Sequence, residues 1–286
     1  MTAETLAFEK HRPQLRAIAY RMLGSLAEAD DVVQESWIRF NRTKDLDLDN
    51  LGGWLRAVCT RVCLNMLRSR ATRQEESFDT HVPDPVITLE GDDSPEREAE
   101  LTNSVGLALQ VVLDNLPPDE RVAFILHDMF EMPFEEIAPL LERSLVATRQ
   151  LASRARRRVR AAPTPDRDVA RQREIVDAFF TAARAGNLNA LVGMLHPDVV
   201  LRADLGAGIP ATATVRGAEA VAQRVLRFSD PRQSLHPVLI NGAAGVVTTL
   251  NAQPMAVIAF TVCEGKIIAI DALGDAERLA ALDLGI

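Results

Sequence analysis

The sequence predicts a multidomain chain in which two all-α helical modules precede an α+β domain. Three observations carry that prediction. Apolar residues recur at helical spacing from Leu6 to Leu67 and again from residue 101 to 160. Residues 74–100 hold ten acidic side chains against one basic and include Pro83, Pro85, Gly91 and Pro95, which is linker composition. Beyond residue 168, β-rich runs separated by glycine-containing turns take over. The boundaries therefore read 1–73, 74–100, 101–162 and 168–286, with AAPTPDRD at 161–168 as a second linker.

In the first module, Leu6 to Leu23 shows helical spacing through Leu15, Ile18, Ala19 and Met22, and Gly24 is a natural stop. A second helix is predicted from about Ala27 to Phe40, with Val32, Val33, Trp37 and Phe40 inward and Asp31, Gln34 and Glu35 on the solvent side. A third runs from near Asn50 to Leu67, with Leu51, Trp54, Leu55, Val58, Val62 and Met66 inward. Arg56, Arg61, Arg68, Arg70 and Arg73 make this segment strongly basic. Cys59 and Cys63 stand at i, i+4 on it. No histidine or acid lies between residues 54 and 73 to complete a metal or redox site, so the two read as small buried residues.

Helices resume at about 101–115, 118–130, 134–141 and 145–160, with Pro117, Pro118 and Pro133 at the junctions. The last pair is the most informative stretch. Phe134, Ile137, Leu140 and Leu141 recur on one side of the first helix, and Glu135, Glu136 and Glu142 take the other. Ser144 suits the N-cap of the second helix, because its side-chain oxygen can accept from a free amide. Leu145, Thr148, Ala152 and Ala155 then form a packing stripe, opposite Val146, Arg149, Gln150, Ser153 and Arg157. Seven arginines and no acid fall between residues 143 and 165, in a chain of net charge -8. A helix-turn-helix of that charge suits a major groove, where Arg reads guanine and Gln reads adenine. A basic solvated helix closing a small domain would show the same pattern.

In the last domain, helices are predicted at 169–185 and 217–228, and strands within HPDVVLRAD, SLHPVLINGAAGVVTTL and PMAVIAFTVCEGKIIAIDAL. Gly242 and Gly245 flank one hairpin turn, and Glu264-Gly265 forms another. At 286 residues and 47% hydrophobic content, the chain is long enough for two or three cores. Its N-terminus is charged from residue 4, and no run approaches about 18 apolar residues, so a cytoplasmic protein without membrane contact is expected. Three cysteines give no disulfide framework. The acidic belt at 74–100 opposes non-specific DNA binding.

With these elements placed, residues 5–160 resemble a bacterial extracytoplasmic-function sigma factor of the sigma-70 family. AIAYRMLGSLAEADDVVQESWIRF at 17–40 looks like the helix that such factors dock on the clamp of RNA polymerase. GGWLRAVCTRVCLNMLRSR at 52–70 is similar to the segment that melts and reads the promoter's -10 element. LPPDERVAFILHDMFEMPFEEIAPLL at 116–141, followed by the basic helix, matches the reader of the -35 element. The resemblance implies polymerase contacts through Asp31, Gln34, Glu35 and Arg39. It implies -10 contacts through Trp54, Arg56, Arg61, Asn65, Arg68 and Arg70, although a core role suits Trp54 better, so Asn65, Arg61 and Arg68 rank above it. At -35 it implies Ser144, Val146, Arg149, Gln150, Ser153, Arg154 and Arg157. Glu142 stands where the family usually has glycine, and Thr148 where an apolar packing residue is usual.

Residues 168–286 look like the SnoaL-like branch of the NTF2-like fold, whose fusion to such sigma factors is a known subgroup. RADLGAGIPA, around Asp204, resembles a glycine-rich loop of that subgroup, and THVPDPVI resembles its proline-rich linker motif without the tryptophan. The resemblance implies that the two segments touch, which makes Pro83, Asp84, Pro85, Asp204, Gly206 and Gly208 candidates for an interdomain regulatory role. The function implied is an alternative sigma factor with core RNA polymerase and promoter DNA as partners and with no catalytic residue, metal or cofactor. The C-terminal pocket is a place for a small-molecule ligand not yet identified. SnoaL-like domains include enzymes that use a pocket Asp or His as general base, so Asp204, His196, His236 and Asp271 also need weighing. Two alternatives follow: a small-molecule isomerase, cyclase or hydrolase carried by this domain, and a helix-turn-helix regulator acting without polymerase.

Overall fold

The first helical segment is broken where the sequence predicts one helix. In a computed structural model describing residues 3–43, 50–73, 82–88, 106–206 and 213–284, α1 (Ala3–Glu9) and α2 (Arg12–Leu23) are separate. Pro13 explains the break, because a residue without an N–H belongs in a helix's first turn and clashes with the carbonyl four residues back. Gly24, at φ +72°, ends α2, and its N–H donates to the Tyr20 carbonyl at 2.8 Å. The Ser25 hydroxyl then caps α3 (Leu26–Arg42) by accepting from the Glu28 amide at 3.4 Å.

On α4 (Leu51–Arg73) the buried face differs from the expected one. Leu55, Val58, Cys59, Cys63, Leu64 and Leu67 are buried, whereas Val62 and Met66 are only partly covered. The reason is tertiary: α2 and α3 pack against α4, and so does α6 (Pro118–Phe124), which rotates the stripe toward the cysteines. Both thiols are buried as expected. Trp54 lies beside Phe40, with ring centroids 6.3 Å apart, at the edge of an aromatic cluster with Phe8 and Trp37.

The second helical module comprises α5 (Leu107–Asp114), α6 with a π-helical turn at Ile125–Met129, α7 (Phe134–Leu141) and α8 (Leu145–Ala161). Met1–Glu76 and Leu109–Ala162 form one compact unit. Buried polar contacts join the two modules. Arg121 donates to the Met22 carbonyl at 2.8 Å and pairs with Asp114 at 2.9 Å, and Gln110 donates to the Arg21 carbonyl at 3.1 Å. Burial lowers the Arg121 pKa, with Asp114 opposing that shift.

The second unit, Ser77–Ala108 with Pro163–Ile286, is α+β. Its sheet has the order β1-β4-β5-β6-β7-β2-β3. The strands are β1 (Ile87–Thr88), β2 (Leu195–Asp204), β3 (Ala213–Arg216), β4 (Ser234–Ile240), β5 (Ala243–Leu250), β6 (Gln253–Cys263) and β7 (Lys266–Leu273). β4 to β7 form an antiparallel meander, and β2 lies parallel to β7. Helices α9 (Val169–Arg184), α10 (Leu188–Met194) and α11 (Ala218–Phe228) cover one face, where Phe179, Leu191, Val221, Val246, Phe260 and Ile270 share a core. The other face presents Val238, Val247, Val257 and Leu273, covered by Val82, Leu107 and α12 (Ala276–Ala281) through Leu279. Val246 and Val247 fall in different cores, as strand alternation requires.

Three features depart from the sequence reading. The short strand β3 and the short helices α10 and α12 lie outside the predicted elements; the two helices start at the caps Asn187 and Asp275. The first hairpin turn is Asn241-Gly242, both left-handed like Glu264-Gly265 at the second. Gly245 instead lies inside β5, where a Cβ would collide with Ile240. Finally, Ile87 and Thr88, in the span that composition marks as linker, pair antiparallel with Ile240 and Leu239 as an edge strand. A count of acids misses the apolar Val82 and Ile87 between them. No helix among the described residues is long and apolar enough to cross a membrane.

Candidate nucleic-acid interface

The α7–α8 pair is built from local signals. Glu142 ends α7 in the left-handed region (φ 57°, ψ 41°), the conformation that a glycine adopts without a side-chain penalty. Ser144 then caps α8, its hydroxyl accepting from the Ala147 amide at 3.2 Å. Thr148, Ala152 and Ala155 are buried, so the helix lies close to its neighbours through small side chains. Thr148 satisfies its buried hydroxyl by donating to the Ser144 carbonyl at 3.0 Å, which is how a polar residue fills an apolar place.

Val146, Arg149, Gln150, Ser153, Arg154 and Arg157 are all exposed on the opposite side. Arg149 reaches Glu135 at 3.4 Å in a pair open to water on both sides, a contact of little strength. Arg156 and Arg158 instead pair with Asp128 at 2.6 Å and Glu120 at 3.4 Å. Arg154 and Arg157 have no ion-pair partner among the described residues and line a shallow cleft with Arg158 and Ala161.

On α3, Asp31 and Gln34 are exposed, while Glu35 and Arg39 pair with each other at 2.8 Å. The basic set on α4 divides. Arg61 and Asn65 are exposed and Arg56 is half-buried. Arg68 donates through Nε and Nη2 to Oδ1 of Asp119 at 3.3 and 3.0 Å, and Arg143 holds the other oxygen at 3.3 and 3.1 Å. Arg70 pairs with Glu28 and donates to the Leu23 carbonyl at 3.3 Å. Asp119 is a residue that sequence reasoning did not single out. Its local pattern marks only the first turn of α6, where a carboxylate suits the helix dipole.

A second cluster lies within the α+β unit. Arg278, on α12, donates to Asp84 Oδ1 at 2.9 Å through Nε and to Asp204 Oδ2 at 2.7 Å through Nη1. It also donates to the Val82 carbonyl at 2.6 Å. Pro83 and Pro85 are buried on either side of Asp84. Asn241 completes the attachment by bonding the Val86 backbone in both directions, at 3.0 and 2.8 Å. The Gly206 amide donates to Asp204 Oδ1 at 3.3 Å. Gly208 lies outside the described residues. Arg278 was missed because it sits on a six-residue helix with little sequence signal.

Residues 7–73 match the model of Sigma-70 region 2, and residues 106–159 that of Sigma-70, region 4. Over 283 residues the chain is 37% identical to the ECF RNA polymerase sigma factor SigJ of Mycobacterium tuberculosis, covering 93% of this chain and 90% of that one. The chain belongs to the extracytoplasmic-function RNA polymerase sigma factors. It is an alternative sigma factor, directing promoter-specific transcription initiation. It is also 33% identical to the probable ECF sigma factor SigI of the same organism over 272 residues, 93% of this chain and 91% of that one. The crystal structure of Mycobacterium tuberculosis SigJ superposes with a TM-score of 0.75 at 32% identity, covering 98% of this chain and 99% of that one.

The four acid-base candidates of this sigma factor are each held in a different local contact. Asp204 has both carboxylate oxygens engaged, by Arg278 and by the Gly206 amide. His196 is exposed and accepts from the Asp198 amide at 3.1 Å. His236 meets the Thr249 hydroxyl at 3.0 Å. Asp271 is buried on β7 against Arg202 of β2 at 2.6 Å; burial pushes its carboxyl up, with Arg202 opposing. No group of three His, Cys, Asp or Glu side chains that could hold a metal ion occurs among the described residues.

Proposed function

We propose that residues 1–73 of this sigma factor dock core RNA polymerase and hold the -10 element, that residues 101–162 read the -35 element, and that residues 168–286 regulate both. The polymerase surface is the open edge of α3, with Asp31, Gln34 and the Glu35–Arg39 pair. Arg56, Arg61 and Asn65 take the opened -10 strand beside Trp54, and Arg68 and Arg70 join them when Asp119 and Glu28 release them. Unstacked bases need polar and aromatic groups beside a basic groove, which α4 supplies.

The observation that carries this reading is α8. Its small residues are buried, and its N-terminal turns present Arg149 and Gln150 to solvent in the arrangement that a major-groove helix requires. Arg154 and Arg157, further along, suit phosphates.

The C-terminal domain acts as a physical regulator without turnover. What supports this is its hold on residues 82–88, in the segment that joins the two DNA-reading modules in sequence. Asp204 serves that hold and is not poised as a base. The test mixes the protein with sigma-free core polymerase and a promoter library and sequences the transcripts. Specific starts are expected from the full chain; none from it or from a chain cut after residue 165 would reject the reading.

A further inference from the structure

Val146 is the most exposed large hydrophobic residue among those described, at 64%. It occupies the second position of α8, directly after the Ser144 cap and the half-buried Leu145, and takes no part in the buried stripe. Arg149 and Gln150 follow it at i+3 and i+4, so the three share one face. A valine there is a poor choice for the helix alone, since a β-branched side chain loses rotamer freedom in a helix and this one gains no burial. The same stiffness is an asset in recognition. Its χ1 is held by the helix, so its two methyl groups point one way, beside the two side chains best suited to guanine and adenine.

In the major groove, thymine differs from the other bases by an apolar feature, its 5-methyl group. We infer that Val146 is a specificity-determining residue that reads a thymine of the -35 element through that methyl group. The inference rests on the reading of α8 as the duplex-reading helix. It adds a third kind of contact, apolar and specific for thymine, to the hydrogen bonds of Arg149 and Gln150.

The test uses the full chain bound to core polymerase and the duplex that this holoenzyme selects from a randomised library. Each thymine of the selected -35 element is replaced singly by uracil, which removes the methyl group and leaves every hydrogen-bonding group in place. At one position, next to a base whose preference changes in Arg149→Ala or Gln150→Ala, uracil should weaken wild-type binding about fourfold, the equivalent of one buried methyl group. Val146→Ala should bind the thymine duplex weaker by a similar factor and show no further loss with uracil, the coupling expected of a direct contact. Val146→Thr, which keeps one methyl group, should recover part of the uracil penalty. Alanine favours helix, and a melting curve checks that the fold is kept. An equal uracil penalty in wild type and Val146→Ala, or no uracil-sensitive thymine in a duplex that is still selected, overturns the role of Val146 and leaves the reading of α8 intact. Failure to select any duplex overturns both.

Discussion

Arg149, Gln150 and Arg157 lie on one exposed helix face, yet the proposed docking gives them different work. Arg149 and Gln150 stand near the N-terminus of α8, where a helix entering a groove meets base edges. Alanine at either should cost about 1–3 kcal/mol at its own -35 position and change the base preference there. Arg157→Ala should weaken all sequences alike and flatten the salt dependence by about one phosphate contact. Binding measured against a panel of single-base variants separates the two; an Arg149→Ala protein with unaltered preference at every position would reject this docking. Asp271 gives a pH-dependent prediction in the other unit. Burial raises its folded pKa above the ordinary 3.8, so its contribution to stability is fully present below that value and is lost as pH rises through the folded pKa. The unfolding free energy of wild type relative to Asp271→Asn should therefore fall across that window in denaturant titrations. A pH-independent difference would count against a raised pKa.

At the scale of elements, α4, α6 and the α7–α8 turn meet on one carboxylate. Asp119 holds Arg68 and Arg143 together, and all three side chains keep some exposure, at 18%, 40% and 54%. Such partly exposed pairs contribute about 0.2–1 kcal/mol each, so Asp119→Asn should lower stability only slightly. Its effect on binding should be larger. With Arg68 released, the free protein should bind single-stranded -10 DNA more tightly, and Arg68→Ala should remove that gain. Fluorescence anisotropy decides the matter; unchanged affinity in Asp119→Asn would show that this contact does not hold the arginine back. The helices themselves were legible from apolar spacing, caps and prolines, and the α7–α8 pair most fully, because every one of its signals is local. The rotated face of α4 was not legible, because it depends on which helices pack there.

At the scale of the whole molecule, Arg278 draws together residues 82, 84 and 204, far apart in sequence. Replacing it with glutamine takes the guanidinium away from Asp84 and Asp204, a loss on the order of 2–5 kcal/mol for such clusters. Hydrogen exchange at Val82 and Val86 should accelerate, and transcription should shift in the same direction as in Asp84→Asn and Asp204→Asn. Deleting residues 168–286 should change transcription more strongly, since Val82 and Leu107 then lose the apolar surface that covers them. If Arg278→Gln sped exchange but left transcription on several promoters at the wild-type level, the attachment would be structural without being regulatory.

From the sequence alone, the order of modules, the helix-turn-helix, its cap, its exposed arginines and glutamine, and the α+β character of the last domain could all be read. Each rests on periodicity, capping or charge, which act over a few residues. Only the tertiary structure decided that the two helical modules share one unit, that Asp119 holds Arg68, and that part of an apparently plain linker is an edge strand fastened by Arg278. Those outcomes depend on partners brought together from distant parts of the chain, where burial strengthens a few polar contacts that no local pattern announces.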